Sequence, residues 1–182
     1  LRQAVPAFKI QVVQNGIDFD RFSVQSAGAA NDIYSPFKKK NLRVTLTVAR
    51  LAKQKGHKYL LKAAANIPDA VFVLAGDGPD RRSLENEARA LNISDRVVFL
   101  GERADIPELL AGCDIYVHPS IFEGGVALSI MEAMAAGKPV IATEVEGIRK
   151  NLTNGVNAVL VPPADEAALT EAIKGLLSNE DA

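Results

Sequence analysis

The sequence has few of the residues that mark disulfide-rich or metal-binding proteins. Its 182 residues include one cysteine, Cys113, and two histidines, His57 and His118. A single cysteine cannot form an internal disulfide and fits a reducing compartment, so we expect a cytoplasmic location. Neither histidine has the spacing of a metal-ligand motif, and no carboxylate cluster suggests a divalent cation. We therefore expect no metal and no other cofactor.

Long apolar runs and a large net charge are also missing. No run approaches the roughly eighteen apolar residues that a membrane-spanning helix needs. The net charge is −1, which argues against a dedicated nucleic-acid binder. The one basic run, Lys38-Lys39-Lys40, is interpreted as a solvated lead-in to a strand. Because the chain starts at Leu1 rather than Met, we expect it to be a fragment of a longer protein.

Short apolar runs recur along the chain without alternating with polar residues. Such runs are typical of strands that are buried on both faces, as in a parallel sheet. The runs are Ile10–Val13, Val44–Val48, Val71–Ala75, Val97–Leu100, Ile115–Val117, Val140–Ala142 and Ala158–Val161.

Segments with a helical period lie between the runs. One apolar stripe contains Leu84, Ala88 and Leu91, and a second contains Leu169, Ile173, Leu176 and Leu177. Pro79 and Asp165 stand where these two helices could begin. Alternating strands and helices predict an α/β fold with a doubly wound, Rossmann-like parallel sheet.

The whole chain is interpreted as one domain, with two parts. Residues 1–40 form a lead-in strand, a turn and a linker, and residues 41–182 form the Rossmann-like core. The stretch Ser23–Lys40 has no clear period and is rich in small and polar residues, so it is predicted to be a loop or linker.

Ligands of open α/β sheets bind beyond the carboxyl ends of the strands. Arg50 and Lys55 follow the run Val44–Val48, and Gly56 ends the loop that carries them. A planar guanidinium and a compact ammonium both suit phosphate oxygens, so this loop could hold a diphosphate. The alternative is a solvated basic loop.

A second loop at a strand end contains Gly124 and Gly125 and leads into an apolar helix that ends at Gly137. Open backbone amides and the helix dipole would favour an anion there, although the spacing fits neither G-x-G-x-x-G nor the Walker loop. Ser129 and Glu132 share one face of that helix. Glu132 could hold a ribose, or it could face solvent or pair with an arginine.

Two other strand ends are given structural interpretations. The sequence Gly76-Asp77-Gly78-Pro79 has the composition of a tight turn. His118, also at a strand end, is interpreted as a packed structural residue.

In order along the chain, these segments resemble the C-terminal, donor-binding domain of the group-one, family-four retaining glycosyltransferases, which have the GT-B fold. The resemblance covers nearly the whole chain. It rests on Val12–Asp18, Arg50-Leu51 with Lys55-Gly56, Ala75–Pro79, Val98–Gly101, Pro119-Ser120, Glu123-Gly124, Glu132–Ala135, Gly137–Ala142, and Asn154-Gly155 with Val161–Pro163.

The resemblance implies that the donor is a nucleoside-diphosphate sugar, a UDP or GDP sugar. Arg50 and Lys55 would grip its diphosphate and stabilise the leaving nucleoside diphosphate. Glu132 would bind the ribose hydroxyls, and the backbone near Arg103 would border the base. Amides of Val126, Ala127 and Leu128, in the loop with Glu123, Gly124 and Gly125, would meet the diphosphate or sugar. The turn at Asn15-Gly16 would lie near the cleft between the two halves.

The sequence departs from the family pattern in two places. The family's first acidic residue usually precedes the second by eight positions, where this chain has Gly124, with Glu123 one residue further away. Either the loop is one residue longer or the acid is displaced. Glu146 and Lys150 replace a glycine and a glutamate of the family, which alters the charge of the donor pocket.

Three functions are consistent with these patterns. The first is the donor half of a hexosyltransferase that would need an absent N-terminal acceptor domain and could associate peripherally with the inner face of a membrane. The second is a non-catalytic nucleotide or nucleotide-sugar binding module. The third, a dinucleotide-binding dehydrogenase domain, is disfavoured because G-x-G-x-x-G is missing after the first strand.

Overall fold

The computed structural model describes residues 15–23, 28, 30–125 and 127–178. Their strands form one parallel sheet in the order β3-β2-β1-β4-β5-β6. The predicted strand Ile10–Val13 lies outside the described residues, and the other six predicted strands are confirmed. The strands are β1 (Arg43–Val48), β2 (Ala70–Ala75), β3 (Val97–Gly101), β4 (Ile115–His118), β5 (Val140–Thr143) and β6 (Val159–Val161).

Helices fill the connections between the strands, as the alternating sequence pattern predicts. No described helix has both the length and the apolar character that crossing a membrane requires. The helices are α1 (Phe19–Phe22), α2 (Ala30–Lys38), α3 (His57–Ala65), α4 (Arg81–Ala90), α5 (Ile106–Gly112), α6 (Leu128–Ala135), α7 (Glu146–Arg149) and α8 (Glu166–Ser178), with a 3₁₀ turn at Lys53–Lys55.

The sheet is buried on both faces, which explains why its strands read as continuous apolar runs. On β2, Val71 and Val73 pack into the core under α2, α5 and α6, whereas Phe72 and Leu74 pack under α3, α4 and α8. The result is a three-layer α/β/α domain whose rigid middle layer fixes the loops at the strand ends.

The prediction of a loop or linker over Ser23–Lys40 is wrong for its second half, which forms α2. The helix packs against α5 and β1, and its Ile33, Tyr34 and Phe37 supply an apolar face despite Pro36 inside the helix. Tyr34 is fully buried, and its hydroxyl donates to the Leu109 carbonyl at 3.0 Å. Tertiary packing of this face outweighs the weak local helix signal.

The predicted helix boundaries are close to those observed. Asp165 caps α8, since its Oδ1 accepts from the Ala168 amide at 2.9 Å. The helix α4 begins at Arg81 after Asp80, two residues later than Pro79 suggested. The apolar helix α6 ends at Ala135 shortly before Gly137, as predicted.

Candidate functional site

The strand order reverses between β1 and β4, which places a crevice at their carboxyl ends. The loop after β1 carries Arg50 and Lys55, and the loop after β4 carries Glu123, Gly124 and Gly125. Neighbouring parallel strands therefore bring both predicted loops to one edge of the sheet.

A cleft of about 660 Å³ opens beside this point, over the ends of β1, β2 and β3. Arg50 and Arg103 both line it, so the structure places these two predicted residues in one cavity. Arg103 is held in place by Asp105, with Nε–Oδ1 and Nη2–Oδ2 distances of 2.8 and 2.6 Å. The other lining residues are Val48, Ala49, Ala75, Gly76, Asp77, Gly78, Glu102 and Ile106.

The turn Gly76-Asp77-Gly78 has the predicted turn chemistry and also lines this cleft. Asp77 Oδ1 accepts from the Gly78 amide at 2.7 Å, and Asp77 Oδ2 accepts from Arg81 at 3.0 Å. These two hydrogen bonds, the backbone one first, lower the pKa of Asp77. The position of the turn at a strand end was the sequence signal for a site; its composition alone indicated only a turn.

Lys55 and Glu123 form an ion pair across the crevice, with Lys55 Nζ donating to Glu123 Oε1. The Lys55 and Glu123 side chains are 17% and 12% exposed. The predicted cation of the first loop therefore lies directly against the predicted acid of the second.

Glu123 also accepts from two buried side chains of the β4 end. His118 Nε2 and Ser120 Oγ each lie 2.8 Å from Glu123 Oε1. Because a carboxylate only accepts, His118 carries its proton on Nε2. Burial alone would raise the pKa of Glu123, but hydrogen bonds from His118, Lys55 and Ser120 outweigh it and lower that pKa to about 2.

His118 was predicted to be structural, and it is indeed packed, being 1% exposed. Its Nδ1 lies 3.4 Å from the Tyr116 hydroxyl, which lies 3.3 Å from the Val48 carbonyl at the end of β1. The residue thus links the sheet to the carboxylate of Glu123. The sequence contained no signal for this link, because the pairing depends on side chains that meet only in the fold.

Two glycines let the loops approach each other closely. Gly56 has φ +68°, and a Cβ there would lie 2.0 Å from the Pro119 carbonyl oxygen. A Cβ on Gly147 of α7 would lie 2.5 Å from both the Glu123 carbonyl oxygen and the Gly125 amide nitrogen. A side chain at Gly56 would push the loop after β1 away from the loop after β4, and a side chain at Gly147 would push α7 away from the loop after β4.

His57 follows Gly56 directly and is 3% exposed, and neither of its ring nitrogens has a hydrogen-bond partner among the described residues. Burial, followed by the nearby charges of His118 and Lys55, lowers the pKa of His57 to about 4. The imidazole is therefore neutral at neutral pH and adds no charge to the site.

Glu132 lies half-buried on α6, one turn from Ser129, as the predicted shared face requires. Burial raises the pKa of Glu132, while the charge of Arg21 opposes the rise. Burial raises the pKa of Tyr116, and the charges of Glu132 and Glu123 raise it further. The charges of both carboxylates therefore reach the same buried side chain.

The start of α6 lies beside the Lys55–Glu123 pair. Gly124 and Gly125 are exposed, Ala127 is the N-cap residue, and Leu128 is the first helical residue. Val126, the remaining member of the predicted amide group, lies outside the described residues. Among the described residues, no group of three or more His, Cys, Asp or Glu side chains is arranged to hold a metal ion.

The two departures from the family pattern take different positions in the fold. Glu123 points inward to Lys55, whereas Glu146 and Lys150 pair with each other at 3.3 Å on the exposed side of α7. The charges of Glu146 and Lys150 therefore cancel within this exposed pair.

Comparison with known proteins identifies the family. Residues 30–182 match the model of the protein family "Glycosyl transferases group 1". The chain is 33% identical over 178 residues to an Escherichia coli galactosyltransferase, UDP-Gal:alpha-D-GlcNAc-diphosphoundecaprenol alpha-1,3-galactosyltransferase. The match covers 93% of this chain and 45% of that protein.

Solved structures show the same architecture. Anabaena HepE in complex with UDP superposes with a TM-score of 0.85 at 30% identity, covering 94% of this chain and 48% of HepE. The complex of HepE with UDP-glucose superposes with a TM-score of 0.83 at 31% identity, covering 92% of this chain and 47% of HepE. The C-terminal domain of LpcC from Francisella tularensis superposes with a TM-score of 0.73 at 25% identity, covering 90% of this chain and 89% of that domain.

This chain spans about half the length of the galactosyltransferase and of HepE, but nearly all of the LpcC domain. The predicted resemblance and the predicted Rossmann-like half of a GT-B fold are both confirmed. The chain belongs to the group 1 glycosyl transferases.

Proposed function

We propose that this chain is the donor-binding half of an enzyme that transfers a hexose from a nucleoside-diphosphate sugar to a hydroxyl acceptor, with retention of anomeric configuration. One observation carries the proposal. Arg50, Lys55 and the start of α6 all lie at the carboxyl edge of the sheet, around the β1–β4 switch point. Such an edge binds phosphorylated ligands in open α/β sheets.

Arg50 and Lys55 grip the donor diphosphate in this proposal. As the bond to the sugar breaks, negative charge develops on the leaving nucleoside diphosphate, and the two cations stabilise it. The role is electrostatic and needs no metal ion. Arg50 acts from the cleft side, and Lys55 acts from the side of the loop that follows β4.

The α6 region supplies the remaining donor contacts. Glu132 accepts hydrogen bonds from the two ribose hydroxyls, a pairing that suits a half-buried carboxylate whose pKa is raised by burial. The backbone around Gly124, Gly125, Ala127 and Leu128 donates to the diphosphate or the sugar.

The cleft of about 660 Å³ receives the base, with Arg103 at its border. The base is uracil in this proposal, because the aligned HepE structures are complexes with UDP and UDP-glucose. The fixed guanidinium of Arg103 offers a flat surface on which a base could stack.

The acceptor is bound by an N-terminal domain in the longer protein. Relatives twice the length of this chain support that arrangement, since the chain covers 45% of the galactosyltransferase. Closure of the two domains would assemble the complete site, so this half alone binds donor and turns it over poorly. Peripheral membrane association of the longer protein and a cytoplasmic location are part of the proposal.

Calorimetric titration of UDP-glucose, GDP-glucose and ADP-glucose against this chain tests the proposal. We expect binding of the UDP sugar in the absence of divalent metal, and unchanged affinity when EDTA is added. Transfer by the full-length protein, with the anomer of the product determined by NMR, tests retention. Absence of binding to all three sugar nucleotides would overturn the assignment.

A further inference from the structure

The Lys55–Glu123 pair puts a carboxylate next to the cation that is assigned to the diphosphate. We propose that Glu123 is a built-in competitor of the donor diphosphate, whose fixed negative charge weakens nucleotide binding and speeds release of the nucleoside diphosphate product. The inference rests on the proposed function of Lys55. It gives Glu123 a task distinct from contact with the transferred sugar.

Glu123 cannot swing away when a ligand arrives. Besides Lys55, its Oε1 accepts from His118 Nε2 and Ser120 Oγ, each at 2.8 Å. Both of these donors are 1% exposed, and the Ser120 carbonyl in turn accepts from the Thr143 hydroxyl. The anchoring groups belong to the buried end of the sheet, so the carboxylate stays where it is.

Lys55 can serve both anions at once. An ammonium has three N–H donors, and one of them is directed at Glu123. The other two remain for phosphate oxygens. A bound diphosphate therefore shares the Lys55 ammonium with Glu123, and its own charge lies close to a second negative charge in a partly desolvated site.

Glu123 is negatively charged at neutral pH. Its hydrogen-bond donors stabilise the ionised form, and the pKa of about 2 leaves it charged at neutral pH. Product release limits the turnover of many enzymes, so a fixed repulsive charge that speeds release of the nucleoside diphosphate would favour turnover. A tighter site would hold its product longer.

The test compares Glu123→Gln with the unmodified chain in calorimetric titrations of UDP, inorganic pyrophosphate and UDP-glucose. Glutamine keeps the shape and an accepting oxygen for His118 and Ser120 but has no charge. We expect all three ligands to bind roughly tenfold more tightly, because the substitution removes the repulsion between the Glu123 carboxylate and the nearby phosphates. Stopped-flow measurement should show slower release of UDP.

Two variants serve as controls. Glu171→Gln makes the same charge change on the exposed surface of α8 and should leave all three affinities unchanged. Glu123→Asp keeps the charge and should bind pyrophosphate no more tightly than the unmodified chain. Glu123→Ala is a second neutral variant and should also bind pyrophosphate more tightly. If the glutamine variant fails to fold, the alanine variant shows whether loss of the charge tightens or weakens binding.

Equal or weaker binding of UDP and pyrophosphate to a folded neutral variant would overturn the inference while leaving the proposed function intact. Weaker binding of UDP-glucose alone would also overturn it, because that result assigns Glu123 to the sugar. If the unmodified chain binds none of the three ligands, the proposed function itself fails, and the inference fails with it.

Discussion

Lys55 and Glu123 are joined by an ion pair although 68 positions separate them in the sequence. One follows β1 and the other follows β4, so the pair bridges the two strands between which the strand order reverses. A backbone hydrogen bond of 2.8 Å from Ile121 to Gln54 runs alongside it. The loops on the two sides of the switch point therefore behave as one preformed surface.

Removing either proposed phosphate-binding cation should weaken binding of UDP. For Arg50→Ala and for Lys55→Ala we expect a loss of about 1.5–3 kcal/mol, the range for a hydrogen bond to a charged group. Calorimetry with UDP measures it. Lys174→Ala, which removes an exposed cation from α8, is the matched control and should bind normally. Unchanged affinity in both site variants would remove the two residues from the diphosphate site.

Glu132→Gln should separate ribose binding from phosphate binding. The neutral amide accepts hydrogen bonds from the ribose hydroxyls less strongly than a carboxylate, so UDP affinity should fall by about 1–3 kcal/mol. Affinity for inorganic pyrophosphate should stay the same or rise slightly, because a nearby negative charge is lost. Parallel titrations of the two ligands provide the comparison, and an equal loss for both would argue against a ribose contact.

The same substitution should stabilise the unliganded protein at neutral pH. Burial raises the pKa of Glu132, which means that the folded state disfavours its ionised form. Urea unfolding at pH 7 should therefore show a higher free energy of unfolding for Glu132→Gln. At a pH low enough to protonate Glu132 in both states, the advantage should disappear. Destabilisation at pH 7 would show that Glu132 has a stabilising partner.

His57 should make the fold sensitive to mild acid. Its pKa is about 4 in the folded protein, against an ordinary value of 6.5. Between these values the unfolded chain binds the extra proton and the folded protein does not, so stability falls as the pH decreases from 6.5 towards 4. The slope from this one group reaches at most about 1.4 kcal/mol per pH unit.

Urea unfolding of His57→Leu across this pH range is the measurement. Leucine fills the buried position without a titratable group, so the variant should lose stability less steeply between pH 6.5 and 4. Its stability at pH 7.5 provides the reference for any change in packing. Parallel pH profiles of the two proteins would contradict a buried neutral imidazole.

Gly147→Ala should damage the site by crowding. The new methyl group would lie 2.5 Å from the Glu123 carbonyl oxygen and the Gly125 amide nitrogen, and both are backbone atoms. We expect a loss of roughly 1–3 kcal/mol in stability together with weaker UDP binding. Gly175→Ala, inside α8, would bring the new methyl group within 4 Å of no atom beyond its chain neighbours and the local helix backbone, so this variant should instead gain about 0.5–1 kcal/mol. Thermal unfolding of both variants tests the contrast.

Sequence reasoning was most successful where a pattern directly reflects burial. The strands β1 to β6 appear as apolar runs because both faces of the sheet are covered. The N-cap Asp165 and Gly137, the left-handed residue after the end of α6, were found because helix ends need specific chemistry. The helix α2 was missed because its small and polar residues hide an apolar face that only tertiary packing stabilises.

The site was predicted in part for a related reason. Ligands of open α/β sheets bind at the carboxyl ends of the strands, and this rule identified Arg50, Lys55 and the glycine loop as candidates. The partners of Glu123 could not be predicted, because His118 and Ser120 meet its carboxylate through loop geometry that no local pattern encodes. The spacing between Glu123 and Glu132 was compatible both with a loop that is one residue longer and with a displaced acid.

The packing of α2 sets a practical boundary for anyone who trims this protein. Tyr34 belongs to α2, which packs against β1, and its hydroxyl donates to the Leu109 carbonyl. A domain that begins at residue 41 would lack α2 and its packing against β1. Val44 and Leu46, both fully buried, would then meet solvent. An expression clone meant to keep this face of the sheet covered has to begin upstream of Ala30.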